Sequence, residues 1–180
     1  MFALIFGLSF LANAQDAKSN QPKGYQFTDI KRLPATSVKD QARAGTCWSW
    51  SGISFFESEM IRMGKEPIDL SAMYIVRHAY SDKATKFVRL HGSMNFAVGG
   101  AFCDVMHVIK NYGIVPMDVY KGLNYGEPNH AFGEIDDVLA GYVNAVIKNS
   151  NKKLSTAWKK GFDGILDAYL GEEPEKFEYK

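Results

Sequence analysis

A cysteine at the start of a helical pattern is the feature that most constrains the fold of this chain. The segment from Gln41 to Cys47 ends in a Gly-Thr turn, and apolar residues at helical spacing follow until Gly64. Because glycine commonly ends helices, we predict a helix that begins at Cys47 and ends before Gly64. Its predicted inner face consists of five apolar residues, Trp50, Ile53, Phe56, Met60 and Met63.

The position of Cys47 suits a nucleophile. A helix N-terminus carries about half a positive charge, which favours the reactive thiolate over the thiol. Thr46 is predicted to cap this helix, and Gly45 lets the chain turn tightly before it. When a thiolate attacks a carbonyl, the developing oxyanion needs preorganised donors. We predict that the backbone N–H of Cys47 and the side-chain amide of Gln41 supply them.

Four further helices follow in the pattern. The first is predicted over about 71–80, with Ser71 as its cap, and the second over 102–112, after a glycine pair. The last two are predicted over about 134–148 and 154–170. Residues 81–98 are predicted to form a loop with possible short strands. The last two helices are expected to pack as an antiparallel hairpin because a short polar segment joins them.

The composition of the chain bears on which classes of function are possible. The 180 residues carry a formal net charge of +1 and no long basic run, so nothing indicates nucleic-acid binding or stable membrane association. Residues 2–11 are apolar but too short to span a bilayer, and small residues follow at 12 and 14. We interpret residues 1–14 as a signal peptide, which predicts export to the periplasm or the extracellular space. The alternative is a buried helix or strand.

The region around the cysteine resembles the papain superfamily of cysteine peptidases. The matching residues are Gln41, Gly45, Cys47, Trp48 and Ser49, and Gly99-Gly100 and the segment 111–116 follow in the family's order. The resemblance implies a papain-like α+β fold. This chain would supply the mostly helical left lobe, with the β lobe largely absent. It also implies that Cys47 is the nucleophile, that Gln41 belongs to the oxyanion hole, and that Gly99, Gly100 and Trp48 bind substrate.

One branch of this superfamily fits best. Papain-like enzymes usually carry a disulfide cysteine where this chain has Ala44, and the segment Leu170-Gly-Glu-Glu-Pro-Glu-Lys-Phe177 is similar to the bleomycin hydrolase and aminopeptidase C branch. This resemblance implies an aminopeptidase for short peptide substrates, a homo-oligomer, and no metal or organic cofactor. Together with the signal peptide (1–14) predicted from composition, it divides the chain into an N-terminal arm (15–30), the left lobe (31–127) and a helical insertion (128–180).

The histidine and asparagine that complete such a site are expected farther downstream, because none of the four histidines stands in the family's context. We therefore expect an N-terminal portion of a longer enzyme. Two alternatives remain: a peptide-binding or interaction module without a base, and another acyl transferase of Cys-His type. Cys103 and His107 lie four residues apart, which would also permit a metal pair, but a packed thiol and an ordinary histidine are preferred. His130 is expected to be solvated.

Overall fold

The computed structural model describes residues 24–175, in two compact units. The predicted signal peptide lies outside the described residues, as does the end of the Leu170–Phe177 pattern. The first unit ends at Arg32; its described part has no helix or strand, and the side chains of Tyr25, Phe27 and Ile30 are exposed. The second unit begins at Leu33 and contains the predicted site.

The regular structure of this second unit, as far as it is described, is helical. The helices are α1 (Cys47–Arg62), α2 (Ala72–Arg89), α3 (Phe102–Tyr112), α4 (Gly133–Ile147) and α5 (Ala157–Leu170). Between residues 24 and 175, β-pairing is limited to two isolated bridges, a parallel one between Arg43 and Ala131 and an antiparallel one between Leu70 and Pro116. No helix in this described part is long and apolar enough to cross a membrane.

Helix α2 lies at the centre of the core and packs against each of the other four helices. It is capped as predicted, because the hydroxyl of Ser71 accepts a hydrogen bond from the N–H of Tyr74 at 3.0 Å. Its predicted end near residue 80 is wrong, since the helix continues to Arg89. The added turns bury Ala84, Phe87 and Val88, which continue the core-facing side of the helix.

Helix α1 has the predicted boundaries, but its buried face differs from the predicted one. Ile53 is buried, whereas Met63 is 60% exposed and Trp50, Phe56 and Met60 are only half-buried. The face that packs inward holds Trp48, Ser49, Gly52, Ile53 and Glu57. A Cβ at Gly52 would lie 2.8 Å from a methyl group of Val105, so the small residue lets α1 approach α3 closely.

Helices α4 and α5 form the predicted antiparallel hairpin. The hydroxyl of Tyr142 in α4 donates to the carbonyl of Trp158 near the start of α5, at 2.9 Å. At the other end, the hydroxyl of Tyr169 donates to the carboxylate of Glu134. Helix α5 begins three residues later than the predicted position 154. The buried residues of the hairpin belong to the same core as those of α1, α2 and α3.

Candidate active site

Cys47 is the first residue of α1, and its side chain is exposed. Thr46 precedes it, but the predicted side-chain cap is wrong. The buried hydroxyl of Thr46 instead accepts a hydrogen bond from the indole N–H of Trp50 at 3.1 Å. Among the described residues, the backbone N–H of Cys47 donates to no partner. The sulfur therefore lies at the positive end of the helix, with a free donor beside it.

Gln41 lines the same cavity as Cys47. This cavity has a volume of about 460 Å³, and its other walls are residues 35–39 and three residues of α1, Trp50, Ser51 and Ser54. The Oε1 atom of Gln41 is buried and has no hydrogen-bond partner among residues 24–175. Its Nε2 atom donates no hydrogen bond to another described residue. The side-chain N–H groups of Gln41 thus have no acceptor among these residues.

Backbone hydrogen bonds hold the loop between Gln41 and Cys47 in place. The N–H of Arg43 donates to the carbonyl of His130 at 2.9 Å, and the N–H of Phe132 donates to the carbonyl of Arg43 at 3.2 Å. Gly45 then turns the chain with a φ of +66°, a region that favours glycine. A Cβ at Gly45 would lie 3.2 Å from a methyl group of Val98, so the loop passes close to the segment before α3.

Residues 97–100, here called the glycine segment, lie beside the first turn of α1. The indole N–H of Trp48 donates to the carbonyl of Val98 at 3.0 Å, and a Cβ at Gly100 would lie 2.6 Å from the Trp48 ring. Gly99 and Gly100 are exposed next to the cysteine loop. Trp48 is only 8% exposed, so it lies beneath Gly100 rather than on an open groove surface.

Glu57 was not identified from the sequence, yet it holds one wall of the cavity. Its carboxylate is 1% exposed and accepts hydrogen bonds from the N–H of Leu70 at 2.8 Å, from Lys39 at 3.3 Å and from the hydroxyl of Thr36. Lys39 also lies 2.6 Å from Asp69. Although burial alone would lower the pKa of Lys39, its bonds to the two carboxylates raise it. The sequence did offer a signal for this role, a glutamate between apolar positions of the predicted first helix.

No histidine among residues 24–175 forms a hydrogen bond with Cys47. His130 lies against the ring of Trp50 at 6.1 Å between centroids and lines a different cavity of about 200 Å³. Its predicted solvation is wrong: the imidazole is half-buried, its Nδ1 has no partner in the described part of the chain, and burial lowers its pKa. His78 in α2 is buried, which lowers its pKa as well.

Cys103 and His107 differ in how far their predicted surroundings are found. Cys103 is exposed, so its expected packing is wrong. Both ring nitrogens of His107 have partners, since Nε2 lies 3.1 Å from a carboxylate oxygen of Asp82 and Nδ1 lies 3.3 Å from the amide of Asn111. No group of three or more acidic, histidine or cysteine side chains in the described residues is arranged to hold a metal ion.

Comparison with known proteins gives the family of the chain. Residues 22–160 match the family model described as papain family cysteine protease. The chain belongs to this family. Cathepsin B-like CP2 of Giardia intestinalis is 28% identical over 92 residues, which cover 46% of this chain and 31% of that protein. The chain thus spans less than a third of the length of this curated relative.

Family membership identifies the fold to which these helices belong. The described residues form the mostly helical left lobe of a papain-like fold, and the strands of a β lobe are not found between residues 24 and 175. Membership also supports thiol peptidase chemistry in general. The individual roles of Cys47, Gln41, Gly99, Gly100 and Trp48 remain predictions, which the geometry above makes testable.

Proposed function

We propose that this chain carries the nucleophile and the oxyanion donors of a thiol peptidase. The observation that carries the proposal is the shared cavity: Cys47 begins α1 with an exposed side chain, its N–H is free in the described structure, and Gln41 lines the same space. Two donors are available there for one oxyanion, the backbone N–H of Cys47 and the side-chain amide of Gln41.

The reaction follows covalent catalysis. The sulfur of Cys47 attacks the scissile carbonyl carbon, and the carbonyl π electrons move to oxygen, which the Cys47 N–H and Gln41 stabilise. The oxyanion collapses, the C–N bond breaks, and the amine leaves with a proton from a general acid. Water, activated by the conjugate base, then attacks the thioester and releases the acid and the thiol. The histidine that exchanges these protons, and the asparagine that orients it, are expected outside the described residues.

The substrate class proposed is short peptides, cleaved from their N-terminus in the manner of the bleomycin hydrolase and aminopeptidase C branch. Support comes from the Gln-x-x-x-Gly-x-Cys-Trp spacing and the segment that follows α5. Ala44 adds to this, because it is buried at the position where the superfamily usually has a disulfide cysteine. A homo-oligomer belongs to the same proposal, and sedimentation of the complete gene product would test it.

Export is a further part of the proposal. It rests on the apolar residues 2–11 and on the small residues at 12 and 14. Mass spectrometry of the protein recovered from cells would show a mature N-terminus at Gln15. Retention of residues 1–14 would contradict export by cleavage.

The activity is tested on the complete gene product with peptide amides and an epoxide-type thiol inhibitor. The wild-type protein should hydrolyse peptides, and the inhibitor should modify Cys47 far faster than it modifies free cysteine. Cys47→Ser should abolish both, whereas Cys103→Ser, which replaces the other exposed thiol, should retain both. Gln41→Ala should lower kcat by about a hundred- to thousand-fold, the typical loss for one oxyanion donor.

Three results would contradict the proposal or redirect it. Turnover by Cys47→Ser, or modification of Cys103 in place of Cys47, would overturn the assignment of the nucleophile. Tight peptide binding without any turnover would favour the peptide-binding module. Transfer of the acyl group to an added amine, with little hydrolysis, would favour an acyl transferase.

A further inference from the structure

Three consecutive carbonyls of the glycine segment accept hydrogen bonds from buried or half-buried side chains. The carbonyl of Val98 accepts from the indole of Trp48 at 3.0 Å. The carbonyls on either side, those of Ala97 and Gly99, both accept from the ammonium group of Lys83 in α2; the distance to Ala97 is 3.3 Å. The first helix and the second helix therefore hold this segment together.

Lys83 has unusual surroundings for a lysine. It is half-buried, and its Nζ lies 5.4 Å from the centroid of the Trp48 ring and 6.0 Å from that of Tyr80. Within residues 24–175 it forms no ion pair with a carboxylate. Burial lowers its pKa. The carboxylates of Asp104 in α3 and Asp136 in α4 partly oppose this lowering of the pKa, and the charge of Lys86 in α2 adds to it. A charge removed from water without a carboxylate partner is costly, so its bonds to the two carbonyls and the aromatic faces are what keep it there.

The direction of these carbonyls decides what the glycine segment offers to a ligand. No cis peptide bond is present in the described residues, and in a trans peptide unit the C=O and the following N–H point in opposite directions. Lys83 therefore turns the N–H groups of Val98 and Gly100 away from the core, and Trp48 does the same for Gly99. None of these three N–H groups donates a hydrogen bond among residues 24–175.

We propose that Lys83 is a positioning residue for substrate: by holding the carbonyls of Ala97 and Gly99 inward, it presents the N–H of Gly100 as a donor to the backbone carbonyl of a peptide beside Cys47. This inference rests on the proposed function, because it names what aligns the peptide with the nucleophile. Lys83 does not touch the reacting atoms. Its loss should weaken peptide binding more than the chemical step.

The test uses the complete gene product and three variants. Lys83→Met keeps the aliphatic stem and removes the donors, and Lys83→Arg restores a cation that can reach two carbonyls. Lys110→Met is the control, since Lys110 is an exposed lysine of α3 without a hydrogen bond among the described side chains. For each protein, KM and kcat are measured on a peptide amide, together with the melting temperature. The rate of alkylation by iodoacetamide, which needs no groove, is also recorded.

For Lys83→Met we expect KM to rise about tenfold, which corresponds to about 1.4 kcal/mol. Its kcat, alkylation rate and melting temperature should remain close to wild type. Lys83→Arg should recover most of the loss, and Lys110→Met should match wild type. A KM for Lys83→Met within twofold of wild type would overturn the inference, as would an equal loss in alkylation. If the wild-type protein itself cleaves no peptide, the proposed function fails first, and this inference fails with it.

Discussion

The close contact between Gly100 and Trp48 makes a methyl group at position 100 the sharpest test of the glycine segment. A Cβ there would lie 2.6, 2.7 and 2.9 Å from three atoms of the Trp48 ring. These distances are about 1 Å shorter than carbon atoms prefer. The ring has little freedom to move, because its N–H bonds the carbonyl of Val98 and the ammonium group of Lys83 lies over it. Gly100→Ala should therefore displace the segment from α1.

The size of the effect follows from overpacking in a well-filled interior, which costs about 1–3 kcal/mol. In a chain of this length, each kcal/mol shifts the melting temperature by about 2–4 °C. Gly100→Ala should thus melt about 2–12 °C below wild type. It should also raise KM for peptides, because the N–H of residue 100 moves with the segment.

The neighbouring glycine provides a matched control. A Cβ at Gly99 meets no atom within 4 Å, and its φ is not in the left-handed region. Gly99→Ala should therefore melt at or slightly above the wild-type temperature, since alanine restricts the unfolded chain. Thermal melting followed by tryptophan fluorescence would compare the three proteins. Equal melting temperatures for the two alanine variants would show that the Trp48 ring has room to move and is not a rigid support for the glycine segment.

Three other perturbations address the surroundings of the site. Glu57→Ala leaves the buried N–H of Leu70 without its acceptor, while Lys39 keeps Asp69, and it should destabilise the protein by about 1–3 kcal/mol in urea titrations; no measurable loss would contradict its role. Because burial lowers the pKa of Lys83, this lysine should lose its proton at a lower pH than ordinary lysines, and KM should rise as it does so. The rise in KM should vanish in Lys83→Arg, and a pH-independent KM in the wild type would contradict the role of the Lys83 charge. Gly122→Ala combines a φ of +63° with a Cβ only 2.2 Å from that of Met73, so it should melt well below Gly126→Ala, which has a φ of +80° and open space; similar melting would disprove the clash.

The sequence was sufficient for the features that depend on local chemistry. The start of α1 at Cys47 and the end of α3 before Gly113 follow from turn and stop residues, and the Ser71 cap needs only its own helix. Gln41 and Cys47, predicted from their spacing to be an oxyanion donor and a nucleophile, line one cavity, and their roles stay predictions.

Features that depend on distant contacts were not predictable in this way. The last turns of α2 contain polar residues, and they are held by contacts with distant parts of the chain. Ser81 bonds Asp163 of α5, and Lys83 bonds the glycine segment. A local contact was also missed: the hydroxyl of Thr46 was expected to cap α1, but it is buried and accepts from the indole N–H of Trp50, four residues later in the same helix.

The paired backbone of Arg43 with residues 130–132 has a practical consequence for engineering. The N–H and the carbonyl of Arg43 both bond the strip of chain that leads into α4. A shortened protein that stops before residue 130 would leave both groups without these partners, next to Gln41. Such a truncation would remove more than an outlying hairpin: it would release the loop that joins Gln41 to Cys47, and a minimal version of this lobe should retain that strip.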